Sequence, residues 1–546
     1  MYKKPWENNK KTNIVLIGFM GAGKSTVGRH LAKKLGYAFI DLDQAIEHAT
    51  GLSVAEIFKR FGEVRFRSEE RLAVQKLTSA SNTVIATGGG TVLHPENWKI
   101  LADIGHIVWL RAKPGALHKR VQRNKRPLLA EDSSVDRIKQ LLIEREAIYA
   151  RADYVLDTTQ SPIRDLVKSL YRWVRKQSSH QLLVRSGGQA YSLWVGTDIL
   201  PLLGQMLQDL RLTGKALVVS NQTVFQQNRY GETVQQSLAE AKLECNHFLV
   251  PEGEIAKSRE VVESLYNYAL EQEMEPRSPW IALGGGVVGD VTGFAAATFM
   301  RGVPLIQVPT TLLAQVDSSI GGKVAINHPR GKNLIGAYHQ PRMVLADIST
   351  LSTLPAREIR NGLAEIIKCS IMEENDLFLL LEQNLEPILN LDPSLLTRII
   401  LQTCQFKASI VEADERDQGV RLFLNLGHTL GHALEAEGGF ARISHGEAVA
   451  AGVAFAGRLA LKNDLWSEAE QSRLETLLQR SNLRLDLSGY QVEPLLQRLK
   501  VDKKSADGAV RWILPAHIGI PPIVTPVAEQ TVIPVLNDFL QEWSAK

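Results

Sequence analysis

The chain has 546 residues, 44% of them apolar and 22% charged, with a formal net charge of +4. One core seldom serves more than about 250–300 residues, so several folding units are required. The charge is small and dispersed, which argues against nucleic-acid binding and is compatible with anionic small substrates. Three scattered cysteines, Cys245, Cys369 and Cys404, form no CxxC pair and point to a reduced, cytoplasmic protein. Residues 1–12 contain no apolar run, so no secretory signal is expected. The longest small-apolar stretch, 448–457, stops at Arg458. A membrane span needs about 20 residues, so this stretch reads as a buried helix and no membrane association is expected.

In chain order, 13–17 reads as a strand, 24–35 as a helix, and 38–40, 83–86 and 106–110 as further strands separated by helical stretches. Alternation of this kind predicts an α/β unit over 1–174 with a parallel sheet covered by helices. Between the first strand and helix lies Gly18-Phe19-Met20-Gly21-Ala22-Gly23-Lys24-Ser25-Thr26, which matches the Walker A pattern. Backbone N–H groups along Gly21, Gly23 and Thr26 would take phosphate oxygens of ATP. Lys24 would reach the β/γ-phosphates, and the Ser25 hydroxyl would ligate Mg²⁺. Asp41 and Asp43 follow the second strand, where ligands of α/β sheets collect. Asp43 could bind substrate hydroxyls or take a proton from one. Arg67 sits in a charged helix, Gly88-Gly89-Gly90 follows a strand, and Arg126-Pro127-Leu128-Leu129 could close as a lid. From the residues alone, helix caps at Asp41 and Asp43 and a surface ion pair at Arg67 remain equally open.

Taken together, residues 13–174 resemble shikimate kinase. The resemblance implies that Asp43 binds the shikimate hydroxyls and serves as base, with Asp41 its partner acid near Mg²⁺. It also implies that Arg67, Arg145 and Gly88–Gly90 hold shikimate, and that Arg126 meets ATP from the lid. The implied chemistry is coherent: arginine forks suit a carboxylate, and phosphoryl transfer needs positioning and charge neutralisation.

Residues 175–181 are polar and aperiodic and read as a linker. A second alternating block starts at 182, with strands expected at 216–220, 247–250, 280–283 and 305–308. Beyond 354 the sequence becomes helix-rich until 511–515. The expected architecture is a Rossmann-like α/β part over 182–354 and a mostly helical part over 355–546. Gly284-Gly285-Gly286-Val287-Val288-Gly289-Asp290 satisfies G-x-G-x-x-G after a strand, a weak dinucleotide signal alone. Glu252-Gly253-Glu254-x2-Lys257 and Thr310-Thr311 could meet ribose and pyrophosphate. Glu365 and Lys368 share a helix face, as do His428 and His432, and His445 opens the next helix. His-Thr-Leu-Gly-His lacks the glutamate of a metalloprotease motif. A Glu/His/His set with an open position is a catalytic zinc pattern, although any one histidine could be an ordinary helix-face residue.

From 182 to the end the chain resembles 3-dehydroquinate synthase, on Pro251–Glu254, Gly284–Asp290, Met300–Gly302, Pro309–Lys323, Gly331–Asn333, Leu363–Lys368, Asn425–Thr429 and His445–Glu447. The resemblance implies zinc or cobalt on Glu365, His428 and His445. It implies substrate or catalytic roles for Arg301, Lys323, Asn333, Lys368, Lys407, Arg421, Asn425, His432 and Lys503. Gly286, Gly289, Asp290, Thr310, Thr311, Asp317, Lys323 and Lys332 would serve NAD or the active site. The implied reaction converts 3-deoxy-D-arabino-heptulosonate 7-phosphate to 3-dehydroquinate and phosphate, with NAD regenerated, and the family expectation is a homodimer through the synthase. Two other readings are a kinase fused to a related cyclase making a valiolone- or inosose-type ring, and a nucleotide- or NAD-sensing pseudoenzyme. Retention of Lys24, Asp43, Glu365, His428 and His445 argues against the pseudoenzyme.

Overall fold

Strand β1 (Asn13–Ile17) is buried along its whole length. Ile14 and Leu16 enter one core with Leu31 and Val108, while Val15 and Ile17 enter another with Ile85 and Trp109. A strand buried on both faces requires helices on both sides of its sheet. The computed structural model describes residues 11–122, 134–374, 376–417, 419–439, 442–502 and 510–544. They fall into two compact units, Met1–Ser178 and Ser179–Lys546. In the first, β2 (Ala38–Asp41), β3 (Thr83–Ala86), β1, β4 (Gly105–Arg111) and β5 (Tyr154–Asp157) form a parallel sheet in that order. The central position of β1 delivers the 18–23 loop to the carboxyl edge of the sheet.

The linker expected at 175–181 is mostly absorbed into elements. Helix Ile163–Gln177 buries Leu166, Val167, Leu170 and Val174, and Arg175 and Lys176 occupy its last turn, where cations suit the helix dipole. Strand β6 (His180–Ser186) then starts at once, burying Leu182, Val184 and Ser186 in alternation. Only Ser178 and Ser179 lie between.

In the second unit, β6 pairs antiparallel with β7 (Gln189–Gly196). Strands β8 (Lys215–Ser220), β9 (Glu244–Leu249), β10 (Trp280–Gly284) and β11 (Leu305–Pro309) fall at the four expected segments, with β9 starting earlier and ending one residue short of 250. Strands β12 (Lys323–His328) and β13 (Gly331–Tyr338) form a separate hairpin. With β14 (Met343–Asp347) the large sheet has the order β6-β7-β14-β11-β10-β8-β9, parallel except for β6. The chain leaves β8 outward to β9 and returns on the other side of β8 to β10. The strand order therefore reverses at β8/β10, which opens a ligand crevice beside the glycine turn after β10.

Among the described residues the remainder is mostly helical, with one strand pair, β15 (Arg511–Leu514) and β16 (Ile523–Pro526). Residues 448–457 lie buried within helix His445–Lys462, and no described helix is long and apolar enough to cross a membrane. This helix packs tightly because it is rich in small residues. A Cβ on Gly446 would overlap the backbone of Asn361, and one on Gly452 would overlap the carbonyl of Gly427. Overpacking of such a contact costs about 1–3 kcal/mol. Gly452→Ala should therefore lower the unfolding midpoint of the second unit in calorimetry and leave that of the first unchanged.

Candidate active sites

In the first unit the three glycines of the loop, Gly18, Gly21 and Gly23, have φ of 137°, 80° and 98°, values that side-chain-bearing residues rarely adopt. Lys24 is buried, and its Nζ donates to the carbonyls of Gly18 (2.7 Å) and Phe19 (3.1 Å). Ser25 follows in the first helical turn, and the exposed Thr26 gives its carbonyl to His30 Nδ1. Arg120 braces the loop through the Gly21 carbonyl and the Thr158 carbonyl.

Opposite this loop, the missing side chains of Gly88 and Gly90 make room for charge. A Cβ on Gly88 would lie 3.1 Å from Asp43 Oδ1, and one on Gly90 would lie 2.6 Å from Arg67 Nη2. The Gly89 carbonyl accepts from Arg145 Nη1 (3.2 Å) and Tyr149 Oη (2.5 Å). Asp43, Arg67 and Arg145 thus converge on one glycine run. Asp41 is a helix cap: its Oδ1 accepts from the Asp43 N–H. Arg67 does make ion pairs, but with the buried Glu70 as well as the exposed Glu63. Burial opposes its charge, while Glu70 and Glu63 more than restore it and raise its pKa. Glu70 also accepts from Thr91 Oγ1 at 2.5 Å. Arg126 lies outside the described residues.

In the second unit three helices deliver one residue each to a single point. Glu365 comes from Ala356–Met372, His428 from the first turn of His428–Glu437, and His445 from the first turn of His445–Lys462. Their ligand atoms all lie within 4.8 Å of one another. Glu365 Oε1 is 3.5 Å from His445 Nε2 and 3.8 Å from His428 Nε2. Lys368 pairs with the other Glu365 oxygen and donates to the Leu424 carbonyl at 2.7 Å. Neither Glu365 oxygen has a well-formed hydrogen bond although both are buried. Burial pushes the Glu365 pKa up, but Lys368 and the two histidines hold it well below the usual carboxylate range. Burial disfavours protonation of His445, yet Glu365 and Glu435 together raise it to about 10. A buried anionic oxygen facing two imidazoles is a donor set suited to a divalent cation.

Two adjoining cavities open beside this point. One, of about 500 Å³, is lined by Lys323, Asn333, Lys368, Lys407, Arg421, Asn425 and His428. The other, of about 1250 Å³, runs past Glu252, Gly253, Glu254, Lys257, Gly286, Thr310, Thr311, Lys332, His432 and His445. Asp290 and Asp317 border both. Lys257 Nζ donates to Asp290 Oδ2 at 2.6 Å and to the Asn333 amide oxygen. Burial pushes Asp290 up to about 6 against the pull of Lys257. Glu252 accepts from Thr223, and Glu254 from Asn327. Gly289 lies against Gln307, where a Cβ would meet Oε1 at 2.9 Å. Lys407 Nζ donates to the Asp317 carbonyl at 2.6 Å, and Lys323 pairs with Asp417 at 2.6 Å.

Family models match the chain in series: shikimate kinase over residues 20–175, 3-dehydroquinate synthase N-terminal over 247–361 and 3-dehydroquinate synthase C-terminal over 362–505. The 3-dehydroquinate synthase of Nostoc punctiforme is 44% identical over 352 residues, covering 64% of this chain and 96% of the relative. This chain belongs to the 3-dehydroquinate synthase family. Ahead of that part, in the same polypeptide, stands a shikimate kinase domain. Among solved structures, 2-epi-5-epi-valiolone synthase from Streptomyces hygroscopicus subsp. jinggangensis 5008, with NAD+ and Zn2+ bound, matches with a TM-score of 0.59 at 28% identity over 64% of this chain and 97% of its own. A 2-deoxy-scyllo-inosose synthase complexed with carbaglucose-6-phosphate, NAD+ and Co2+ matches with a TM-score of 0.59 at 26% identity over 66% and 99%.

Most residues expected for the synthase part meet at the two cavities, but Arg301 does not. It is exposed, lines neither cavity, and sits with Met300 in a left-handed turn (φ 66° and 47°). That turn carries the chain from helix Gly286–Thr298 into β11. Lys503 lies outside the described residues. Sequence reasoning missed Asp417, Glu70, Tyr149 and Glu435. Glu435 Oε2 lies 3.4 Å from His445 Nδ1, the ring nitrogen facing away from Glu365. It follows His428 and His432 at helical spacing, a signal that a search for the remaining partner of each histidine would have found. Carboxylates in this position fix the tautomer of a metal-binding histidine, and losing one typically costs about 10–100-fold in affinity. Glu435→Gln should weaken retention of zinc by that factor in chelator competition, with the fold intact by circular dichroism.

Proposed function

We propose that this polypeptide is a bifunctional enzyme of the shikimate pathway. Its first unit phosphorylates shikimate at the 3-hydroxyl with ATP and Mg²⁺, and its second converts 3-deoxy-D-arabino-heptulosonate 7-phosphate to 3-dehydroquinate and phosphate. The observation that carries the second half is the convergence of Glu365, His428 and His445 beside a cavity lined by four cations, with the crevice at the glycine turn adjoining it.

In the kinase, the loop N–H groups and Lys24 neutralise the transferring phosphoryl group, Ser25 holds Mg²⁺, and Asp43 orients and deprotonates the accepting hydroxyl. Arg67 and Arg145 fork the shikimate carboxylate while the Gly88–Gly90 backbone lies close to the ring. In the synthase, Glu365, His428 and His445 hold zinc or cobalt, and the larger cavity takes NAD. When bound, these groups supply Lewis acidity toward the substrate hydroxyls and reversible hydride storage. Lys323, Lys368, Lys407, Arg421 and Asn425 hold the phosphate and carboxylate, and His432 handles a proton beside them. Phosphate elimination followed by ring closure leaves no net redox change, so the class is a carbon–oxygen lyase. The unpaired cysteines support a cytoplasmic location.

The decisive measurement is phosphate release from the heptulosonate phosphate with NAD, before and after chelation and zinc restoration. Metal-dependent release with 3-dehydroquinate formed is the expected result; a folded, loaded protein that releases none, yet cyclises another heptulose phosphate, would overturn the assignment. Single substitutions should separate the two activities. Lys24→Ala should lower shikimate phosphorylation by about 10²–10³-fold and leave phosphate release unchanged; His428→Ala should do the reverse.

A further inference from the structure

Lys323 and Arg421, both on the wall of the smaller cavity, depend on one residue, Gly321, and that residue is fixed from outside the cavity. Gly321 and Gly322, with φ of 94° and 67°, form the turn that launches β12 at Lys323. The Gly321 carbonyl accepts from Arg421 Nη2 at 3.1 Å, and Arg421 Nη1 donates to the Glu415 carbonyl at 2.5 Å. On its other side, the Gly321 N–H donates to the hydroxyl of Tyr191 at 3.3 Å. Tyr191 belongs to β7 and is 3% exposed. The same hairpin reaches this region twice more. Ser186 Oγ accepts from Gln340 Nε2 at 3.0 Å, against which Gly322 packs, and the Arg185 N–H donates to Glu412 at 2.9 Å.

We propose that Tyr191 is a positioning residue for the synthase reaction: its hydroxyl pins the Gly321 N–H, and through that residue sets Lys323 and Arg421 for the substrate's anionic groups. This inference rests on the reading of Lys323 and Arg421 as substrate residues. A buried N–H that loses its acceptor must move or stay unpaired, and either disturbs the glycine turn on which Lys323 and Arg421 rest. Reacting groups misplaced by about 1 Å lose up to about 100-fold in rate, so a looser turn costs less than that.

Tyr191→Phe removes one oxygen and keeps the packing. In the full-length, zinc- and NAD-loaded protein, it should lower kcat/KM for the heptulosonate phosphate about tenfold, mainly through KM, as when binding shared by the substrate and the transition state is lost. Amide exchange at 321–323 should quicken, while shikimate phosphorylation and NAD affinity stay at parental values. An unchanged kcat/KM, even with a lowered unfolding midpoint, would overturn the proposal. So would unchanged exchange at 321–323. A parent protein that releases no phosphate would instead condemn the reading of the cavity, since the variant could then show no loss.

Discussion

A carboxylate that stays charged with no access to water sets the terms for the second unit. Glu365 is 1% exposed, and an ion in such a place is tolerated only when counter-charges meet it at short range. Lys368 meets one oxygen, and His428 and His445 face the other. Bringing these groups together from three helices demands near-contact of backbones. The molecule achieves it by omitting side chains where helix His445–Lys462 crosses its neighbours, at Gly446 against Asn361 and at Gly452 against Gly427. The small-apolar composition of 448–457 is thus a packing requirement of the charged site.

The first unit solves a different electrostatic problem with the same device. Its ligands are anions, so it offers N–H groups and arginines, and glycine again decides how near they come. Gly88 and Gly90 leave space for the Asp43 carboxylate and the Arg67 guanidinium. Glu70, buried beneath Arg67, holds the guanidinium in place. The two reactions are not consecutive in their pathway, so joint expression explains the fusion better than transfer of an intermediate.

The two cyclase structures match the scaffold of this chain, and each holds NAD+ and a divalent metal. What distinguishes a substrate on such a scaffold is the placement of anion-binding groups around the cavity. In this chain the cations of the smaller cavity come from regular and irregular backbone alike: Lys368 and Lys407 from helices, Lys323 from the start of β12 after the left-handed turn at Gly321-Gly322, and Arg421 from the turn Val420–Asn425. Helices place Glu365, His428 and His445, while Tyr191 on the Gly321 N–H and Asp417 on Lys323 hold less regular parts of the structure around the smaller cavity.

Much of this was legible from the chain alone. The Walker loop and the alternation of strands and helices are local patterns, because helix spacing and glycine turns write themselves into short stretches, whereas Glu365, His428 and His445 stand on three separate helices and are joined as a set by family resemblance. The hairpin β6–β7 was not legible, since a polar run conceals both the end of a helix and the start of a strand at Ser178–His180. Nor were β12–β13 and β14, whose strands are defined by partners distant in sequence. Tertiary structure alone decided that Asp41 caps a helix, that Lys257 serves Asp290 and Asn333, that Arg301 stands away from both cavities, and that Glu435 backs His445. Residue type and spacing determine which chemistry a chain can hold. Which groups meet is settled only when separate elements pack, because burial and pairing energies act between residues that the sequence keeps far apart.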